Sequence, residues 1–465
     1  MTHFLPVSAS SCEFLPLRCG STAELLDRAS MRRTVLLGLL LGGCSSTPSG
    51  TIALTTGGEM DTFSRPPAPT SLHVDAVDST GTVTPISQTS LPATTITLPD
   101  QSTSTTAALR VTGVDATGKT LVWGESLPFE FAALDGLTLS IFVQRNGEFA
   151  RAPSPLPIAP SAPLTALVEG RYIVTAGGND ASQAANAQIY DTLGWATLVA
   201  PPTLPRAPLS MATVDTRLLL VDASAATFYD LSDSLFADVA APTGGTYAEV
   251  AGGASIATPL GGMYIVGATR TKGEPTPRLL YVDPSGNLSF AALTIPRKGA
   301  AATWMDKRGL VITGGTSAGG TSPGVEVLTE GLAQATAYSF PPDATTGGSA
   351  SALDDARVLL AGGVDAKGND AGARVIDFTC TCVTAWKAPV IPLVSAQGFT
   401  LDASTALVVG SEASGTSHAF RMSATMATEI PFKVSRKNAS ALRLPMGQVA
   451  VLGGDPTLES FIQAP

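Results

Sequence analysis

Seven short apolar runs recur at a nearly constant spacing along the last two thirds of the chain. They are Tyr172–Gly178, Leu218–Asp222, Tyr264–Gly267, Leu310–Gly315, Val358–Gly363, Leu407–Gly410 and Val449–Gly454. Successive runs are 43 to 48 residues apart when their first glycine, or its equivalent, is aligned. Runs without polar alternation predict strands buried on both faces. A period of about 40 to 50 residues predicts repeated units of four strands each.

The residues between the runs resemble the kelch repeat, in which a Gly-Gly pair precedes a strand with an aromatic residue and Asp, and then a Trp. The residues that match best are Gly177, Gly178, Tyr190, Asp191 and Trp195 in one unit, and Gly362, Gly363, Asp377, Phe378 and Trp386 in another. The unit at 405–432 departs from the pattern, because only Gly410 survives and no Trp follows. The resemblance covers about residues 160–465 and implies a seven-bladed β-propeller.

The ends of the repeat region predict how such a ring closes. The last unit ends soon after Ile462, one strand short of four, whereas Gly147–Pro153 precedes the first unit and resembles outer-strand material. We expect this segment to pair with the carboxy-terminal unit, because closure removes exposed sheet edges. Asp222 replaces the glycine of the second unit, so we expect a different turn there.

An alternating pattern occupies Thr51–Arg145. Apolar and polar residues alternate with period two, and the turn formers Asp78–Gly81 and Asp115–Gly118 separate two pairs of runs. About seven short strands in this length predict a small β-sandwich of immunoglobulin-like size. The predicted fold is therefore all-β, a kelch-like propeller preceded by a small sandwich.

The amino-terminal region has a charged, apolar and small-residue pattern that predicts a signal for export. Arg32 and Arg33 are followed by an apolar run to Leu41 and by Gly42, Gly43 and Cys44. This arrangement resembles the lipobox of bacterial lipoproteins, which implies cleavage before Cys44 and attachment of acyl chains to it. Ser45, by the same resemblance, implies the outer rather than the inner membrane. The expected segments are an extended or spurious start (1–30), a signal peptide (31–43), a lipidated tether (44–52), the sandwich (53–145) and the propeller (146–465).

Charge and composition narrow the possible partners. The formal net charge is −10, and charged residues make up only 14% of the chain. A negative surface repels phosphate backbones, so nucleic-acid binding is not expected. The expected partners are the membrane, through the lipid anchor, and an unidentified protein or glycan.

The residues needed for known propeller chemistry are sparse. Galactose-oxidase-like copper sites need several imidazoles, but only His73 and His418 follow Cys44. The loop Asp365–Asp370 has oxygen donors, but Lys367 stands at a ligand position, which favours a plain turn over a calcium site. We therefore predict no cofactor, no metal and no catalytic residues.

Two sets of residues remain as candidate sites. The loops after the Gly-Gly strands could form a ligand-binding face, with polar residues Asn179, Asp180, Arg270, Glu274, Asp365, Asp370 and Asp455. Cys380 and Cys382 are predicted to lie on the same side of one strand, where a disulfide over so short a span would need a bulge. We expect them to be oxidised, or inert thiols, without catalysis.

Three functions fit these observations. The first is a non-enzymatic envelope lipoprotein whose propeller binds or scaffolds a protein or glycan. The second is a glycan-active hydrolase or lyase, which would require two carboxylates about 5 to 9 Å apart in a pocket. The third is a purely structural surface lipoprotein.

Overall fold

The computed structural model describes residues 50–93, 95–98, 105–134, 137–177, 185–198, 203–318 and 324–464. The protein is all-β, with 49% of residues in strands and 3% in helices. The described residues all belong to one compact unit. The predicted amino-terminal extension, the signal peptide and Cys44 lie outside the described residues.

Two sheets form the amino-terminal part of this unit. Their strands are β1 (Thr51–Thr55), β2 (Ser71–Val77), β3 (Val83–Ser90), β4 (Thr95–Thr97), β5 (Thr106–Val114), β6 (Thr120–Glu125), β7 (Phe129–Glu130), β8 (Thr138–Phe142) and β9 (Gln144–Arg145), with a 3-10 helix at Phe131–Leu134. One sheet has the order β4-β1-β8, and the other has the order β3-β2-β5-β6-β9 with β7 beside β5. Both sheets contribute to one apolar core, in which Ile52 and Ile141 meet Leu72, Leu109 and Val122.

The two turns predicted in this part are present. Asp78 lies between β2 and β3, and its carboxylate accepts hydrogen bonds from the backbone N–H of Thr80 and Thr82. Asp115 makes the same bonds to Thr117 and Lys119 between β5 and β6. An Asp side chain that satisfies the backbone N–H groups two and four residues later stabilises such a turn.

Seven four-stranded antiparallel sheets follow among the described residues, and we number them sheets 1 to 7 in chain order. Sheet 1 contains β11 (Leu164–Val168), β12 (Tyr172–Ala176), β13 (Gln188–Asp191) and β14 (Ala196–Thr197). Sheet 2 contains β15 (Ser210–Val214), β16 (Arg217–Val221), β17 (Ala226–Asp230) and β18 (Leu235–Val239). Sheet 3 contains β19 (Ala254–Ala257), β20 (Met263–Val266), β21 (Thr276–Val282) and β22 (Leu288–Arg297), with 3-10 helices at Tyr247–Glu249 and Gly267–Thr269.

The remaining four sheets have the same plan. Sheet 4 contains β23 (Ala301–Met305), β24 (Gly309–Thr313), β25 (Val325–Leu328) and β26 (Thr336–Tyr338). Sheet 5 contains β27 (Ser349–Ala352), β28 (Arg357–Ala361), β29 (Ala373–Asp377) and β30 (Cys382–Trp386). Sheet 6 contains β31 (Ser395–Asp402), β32 (Thr405–Ser411), β33 (Ser417–Met422) and β34 (Ala427–Glu429). Sheet 7 contains β35 (Ser440–Arg443), β36 (Val449–Leu452) and β37 (Glu459–Phe461), and its fourth strand is β10 (Phe149–Arg151).

The seven sheets contact one another in a closed cycle. The first strand of each sheet touches the first strand of the next, and β35 of sheet 7 touches β11 of sheet 1. Each neighbouring pair of sheets also shares one cluster of buried apolar side chains. Successive residues of β12 face opposite neighbours, since Ile173 packs with sheet 7 and Val174 packs with sheet 2. This two-sided burial explains why the apolar runs do not alternate with polar residues.

Strand β10 completes sheet 7, as the sequence predicts. Phe149 pairs with Phe461 and Arg151 pairs with Glu459 in antiparallel register. The Phe149 side chain is buried, with its ring centroid 4.7 Å from that of Phe432 and 5.4 Å from that of Phe461. The carboxy-terminal sheet therefore obtains its fourth strand from the segment that precedes sheet 1.

The turn between the second and third strands of sheet 2 has no glycine at its start, and its conformation depends on a side chain instead. Strands β16 and β17 are joined by only four residues, beginning at Asp222. The Asp222 carboxylate accepts hydrogen bonds from the backbone N–H of Ser224 and Ala225 at 2.6 and 2.8 Å. A side-chain acceptor thus replaces the glycine in reversing the chain.

The amino-terminal sheets are fixed to sheets 7 and 1. The Phe142 ring packs on Trp195 at 4.7 Å, and the Gln144 amide donates to the Ser460 carbonyl at 3.0 Å. The Gly58 N–H donates to the Arg151 carbonyl, so that the residues after β1 cover the outer edge of β10. A covered edge does not offer unpaired backbone groups to other chains.

We predict that Phe149→Ala will lower the free energy of unfolding by about 3–5 kcal/mol, because it removes a fully buried ring from the closing strand. The matched control is Phe236→Ala, on the fourth strand of sheet 2. The Phe236 side chain is 38% exposed and stacks on Tyr229, so a loss of about 1 kcal/mol is expected. Chemical denaturation of the purified variants measures both values, and equal losses would contradict a closing role for β10.

Candidate functional site

The loops that could bind a ligand emerge at one end of the seven sheets. Because the strands of each sheet are antiparallel, the loop between its second and third strands leaves at the same end as the link to the next sheet. We call this end the loop end, and we call the opposite end, with the remaining hairpin turns, the turn end. Trp195 and Gln448 lie in turns at the turn end and contact Phe142 and Gln144, so the amino-terminal sheets join there.

The predicted ligand-face residues that the structure describes all lie at the loop end. Arg270 and Glu274 lie between β20 and β21, Asp365 and Asp370 between β28 and β29, and Asp455 between β36 and β37. Asn179 and Asp180 lie outside the described residues. The sequence thus places these side chains at a common end of the molecule, but on three different sheets.

Several of these side chains are engaged in their own loops. The Asp365 carboxylate accepts from the backbone N–H of Asn369 and Lys367, and these bonds hold its pKa below the ordinary value. The carboxylates of Asp370 and Asp455 accept from the N–H groups of Gly372 and Thr457, two residues later. The Arg270 guanidinium donates to the carbonyls of Ala248 and Glu274 at 2.5 Å each. These contacts fix the conformations of the loops.

A second set of polar residues occupies one register position on the third strands. In six of the seven sheets, the residue opposite the penultimate residue of the second strand is polar. We call these the register residues, and they are Gln188, Thr227, Glu326, Arg374, His418 and Glu459. Sheet 3 has Leu280 at this position.

Four register residues bond the stretch of chain just before their own sheet, and they are Gln188, Glu326, Arg374 and Glu459. The Gln188 amide bonds both the N–H and the carbonyl of Ile158 at 3.0 Å. Glu326 pairs with Arg297, and Glu459 pairs with Arg436. The Glu326 carboxylate also accepts two backbone N–H groups near the end of β22, and the Glu459 carboxylate accepts two in the link between β34 and β35. These two ion pairs are almost completely buried. Burial raises the pKa of Glu459 and lowers the pKa of Arg297, since it disfavours both charged forms.

The remaining two register residues, Thr227 and His418, contact side chains on the fourth strand of their own sheets. Thr227 donates to the Asp238 carboxylate at 2.6 Å, and His418 Nδ1 lies 2.9 Å from Glu429 Oε1. The His–Glu pair resembles part of a catalytic arrangement when seen alone. At this position it has the same place in its sheet as five other polar residues, so packing of the repeat accounts for it.

Arg374 differs because its ion pair lines an open cleft between sheets 4 and 5. The cleft is shallow, with a free volume of only about 10 Å³, and Thr313, Ser349 and the backbone of Gly348 line it beside Asp343 and Arg374. Arg374 binds the Asp343 carboxylate and donates to Thr345 Oγ1 at 2.7 Å. The buried Thr313 hydroxyl has no hydrogen-bond partner. The cleft therefore presents hydroxyl groups and peptide groups, with one carboxylate already neutralised.

The balance of forces on Asp343 favours its charged form. Burial, the largest influence, raises the pKa of this carboxyl group, but the positive charge of Arg374 and the hydrogen bonds from Thr345 outweigh it. The pKa of Asp343 is therefore lowered from its ordinary value. Asp343 is ionised at neutral pH and serves as the counter-charge of Arg374 rather than as a proton donor.

A second cleft lies beside the link that enters sheet 1. It has a free volume of only about 10 Å³ and is lined by Pro160, Pro163, Asn186, Thr175 and the register residue Gln188. The amide of Gln188 is engaged by Ile158, as described above. Both clefts are open to solvent at the loop end and contain peptide, amide and hydroxyl groups.

Within the described residues, no group of three or more His, Cys, Asp and Glu side chains is arranged to hold a metal ion. His73 lies on β2, in the amino-terminal sheets, and His418 lies on β33 of sheet 6. The Asp365 loop is a turn closed by Asn369, whose amide also donates to Asp365 Oδ2.

Cys380 and Cys382 form a disulfide, but not in the predicted place. They were expected on one side of a strand, whereas Cys380 lies in the turn between β29 and β30 and only Cys382 is in a strand. The chain reverses here because Asp377 accepts the N–H of Thr379 and because Thr381 adopts a left-handed conformation with φ of 53°. The turn, rather than a bulge, brings the two sulfur atoms together.

The register residues were not anticipated from the sequence. Their residue types differ from sheet to sheet, so no motif marks them, and only the strand register shows that they are equivalent. No family model matches the chain, and no curated protein matches it significantly.

We predict that Asp343→Asn will lower the free energy of unfolding by about 2 kcal/mol at pH 7, because it leaves the Arg374 charge without its partner. A carboxylate with a lowered pKa stabilises the fold above its ordinary pKa, and this contribution is lost as the pH falls. The difference between wild type and variant should therefore shrink below about pH 4, where protonated Asp343 resembles Asn. Urea denaturation of the wild type and the variant at several pH values from 7 to 3 measures this difference in the free energy of unfolding.

The control is Glu130→Gln, at an exposed carboxylate of β7. It should unfold like the wild type at every pH. A deficit in Asp343→Asn that stays constant down to pH 3 would contradict the ionised pair.

Proposed function

We propose that this chain is a cell-envelope lipoprotein whose kelch-like, seven-bladed β-propeller binds or scaffolds a protein or glycan partner without catalysis. The observation that carries the proposal is the closed cycle of seven four-stranded sheets, with their longer loops at one end and the amino-terminal sheets at the other. Propellers with this plan are scaffolds, and their loops determine what they bind.

The propeller interpretation has three independent supports. The unit length of 43 to 48 residues fits one four-stranded blade. The first strands contact one another around a full cycle, as expected of the innermost strands of a propeller. Strand β10 completes the last sheet from the amino-terminal side, which is how a propeller closes without a free edge.

A small immunoglobulin-like sandwich is the corresponding proposal for the amino-terminal sheets. Two sheets of three and six strands enclose one apolar core, as in β-sandwiches. Strand β9 belongs to this part and leads directly into β10, so that the sandwich and the propeller share a continuous backbone connection at sheet 7.

The Cys380–Cys382 disulfide supports a location outside the cytoplasm. Disulfides persist in oxidising compartments and are rare where thiols are kept reduced. The sequence motif at Cys44 then supports membrane attachment through acyl chains. No helix in the described part of the chain is both long and apolar enough to cross a bilayer.

The geometry favours binding over glycan hydrolysis. Two-carboxylate hydrolysis requires a pair of carboxyl groups about 5 to 9 Å apart. The two clefts at the loop end contain one carboxylate, Asp343, and Arg374 neutralises it. Hydroxyl, amide and peptide groups in these clefts instead provide hydrogen-bond partners for a protein or a glycan.

The position of the anchor determines which end of the propeller faces a partner. The Thr51 N–H bonds the Leu137 carbonyl at the start of β1, and the Thr55 carbonyl accepts from Val143 next to the propeller. Only five residues lie between Cys44 and Gly50, and a chain of this length reaches at most about 20 Å from the lipid to the start of β1. The sandwich then holds the turn end toward the membrane and presents the loop end to the surroundings.

We predict that Cys44→Ala will abolish acylation and release the protein from membranes. Wild-type protein should have an intact mass that begins at residue 44 and includes acyl chains, and it should sediment with the envelope. The matched control is Cys19→Ala, in the segment that processing removes, which should behave like the wild type. A soluble, unacylated wild type would contradict the lipoprotein proposal.

We also predict the orientation of the propeller on a bilayer. A fluorophore on Leu137→Cys, at the anchored end of the sandwich, should be quenched more strongly by spin-labelled lipids than one on Lys367→Cys, at the loop end. Both positions are exposed, so both accept the label. Stronger quenching at Lys367→Cys in reconstituted lipoprotein would show that the loop end faces the membrane and would overturn this arrangement.

A further inference from the structure

The Cys380–Cys382 disulfide lies at an exposed tip of the propeller. It closes the turn between β29 and β30, the outer hairpin of sheet 5, at the turn end. Cys380 is exposed, and Cys382 is partly buried. Cys380 is therefore the more accessible of the two residues to a reactant from solution.

The hairpin does not depend on the disulfide for its shape. The Asp377 carboxylate accepts from the N–H and hydroxyl groups of Thr379 at 2.8 and 2.6 Å. Residues on both sides of the turn are already paired, since Asp377 lies opposite Cys382. At the base of the turn, the Phe378 ring contacts the rings of Tyr338 and Phe340, and its N–H bonds the Ala356 carbonyl.

The disulfide also contributes little as a cross-link. The stabilisation expected from restricting the unfolded chain grows with the number of residues enclosed. Only three residues are enclosed here, Cys380, Thr381 and Cys382. A disulfide that stabilises the fold strongly would join segments that are distant in the sequence, whereas this bond joins residues that the hairpin already holds together.

From this combination of exposure and structural dispensability, we infer that Cys380–Cys382 is a thiol–disulfide exchange site that reacts with thiols while the propeller stays folded. The reactant is a thiol, either of a small molecule or of a cysteine in another polypeptide. The inference does not depend on the lipid anchor or on the partner of the loop end.

The reaction has two balanced steps. An incoming thiolate attacks the exposed Cys380 sulfur, a mixed disulfide forms, the bond between the cysteines breaks, and the Cys382 sulfur leaves as a thiolate that takes up a proton. A second thiolate then attacks the incoming sulfur, which releases Cys380. Overall, two thiols are oxidised to one disulfide, and the protein disulfide is reduced to two thiols. In the reverse direction, Cys382 resolves a mixed disulfide on Cys380.

The test is native-state exchange, measured on the full-length protein under conditions where it is folded. Glutathione and a reduced peptide with one cysteine are the two probes, reactions are quenched with acid, and peptide mass spectrometry locates the adduct. We expect a rate that rises in proportion to probe concentration and exceeds the rate of global unfolding at least 100-fold. The first adduct should be on Cys380, and reduced protein should keep the thermal midpoint of the Cys380→Ser/Cys382→Ser variant.

The two probes distinguish the source of the thiol. Reaction with both supports exchange with polypeptide and small-molecule thiols, and reaction with glutathione alone supports a small-molecule reactant. A rate equal to global unfolding, independent of both probes, would overturn the inference, as would unfolding of the propeller on reduction. The exchange assay does not require membranes, so its result can be interpreted even if the Cys44→Ala prediction fails.

Discussion

Pairing of β10 with β37 is the constraint on which the rest of the architecture depends. A cycle of sheets has no free end only if its last sheet is completed, and β37 of sheet 7 would otherwise expose an unpaired edge. The missing strand comes from the chain just before sheet 1, so the two ends of the repeat region are held in one sheet. The covering contact of Gly58 on Arg151 then protects the new outer edge. The amino-terminal sheets are thereby fixed at the same place.

The buried charges follow from a second constraint, the entry of each link into its sheet. A link at the loop end carries backbone groups that lose contact with water, and buried peptide groups need hydrogen-bond partners. Gln188, Glu326 and Glu459 supply such partners from one register position, and Arg297 and Arg436 balance the two carboxylates. Removing only one partner of such a buried pair strongly destabilises the fold. Groups that resemble catalytic residues by burial and charge are thus explained by the repeat.

The sequence predicted the features that depend on local pattern. The apolar runs located the second strands, the Asp-containing turns located two hairpins, and the short last unit predicted the pairing of β10. The prediction that Cys380 lies in a strand was wrong. The left-handed Thr381 and the hydrogen bond to Asp377 reverse the chain where the strand was expected to continue. The register residues could not be found from the sequence, since their equivalence depends on strand pairing and their chemistry differs from sheet to sheet. The described loop residues lie at one end of the sheets, and the hydrogen bonds that engage Asp365 and Arg270 depend on loop geometry that the sequence pattern does not show.

A cross-link across the closing interface tests the central claim of a closed ring most directly. The hydroxyl oxygens of Thr165 on β11 and Ser440 on β35 lie 2.9 Å apart, between the first and last sheets. Oxidation of the Thr165→Cys/Ser440→Cys variant should give an intramolecular disulfide between these positions, identified in proteolytic peptides of the monomer. Closure predicts that this bond forms in the folded protein in high yield. Free thiols at both positions, or a bond formed only between two copies, would contradict the closed ring.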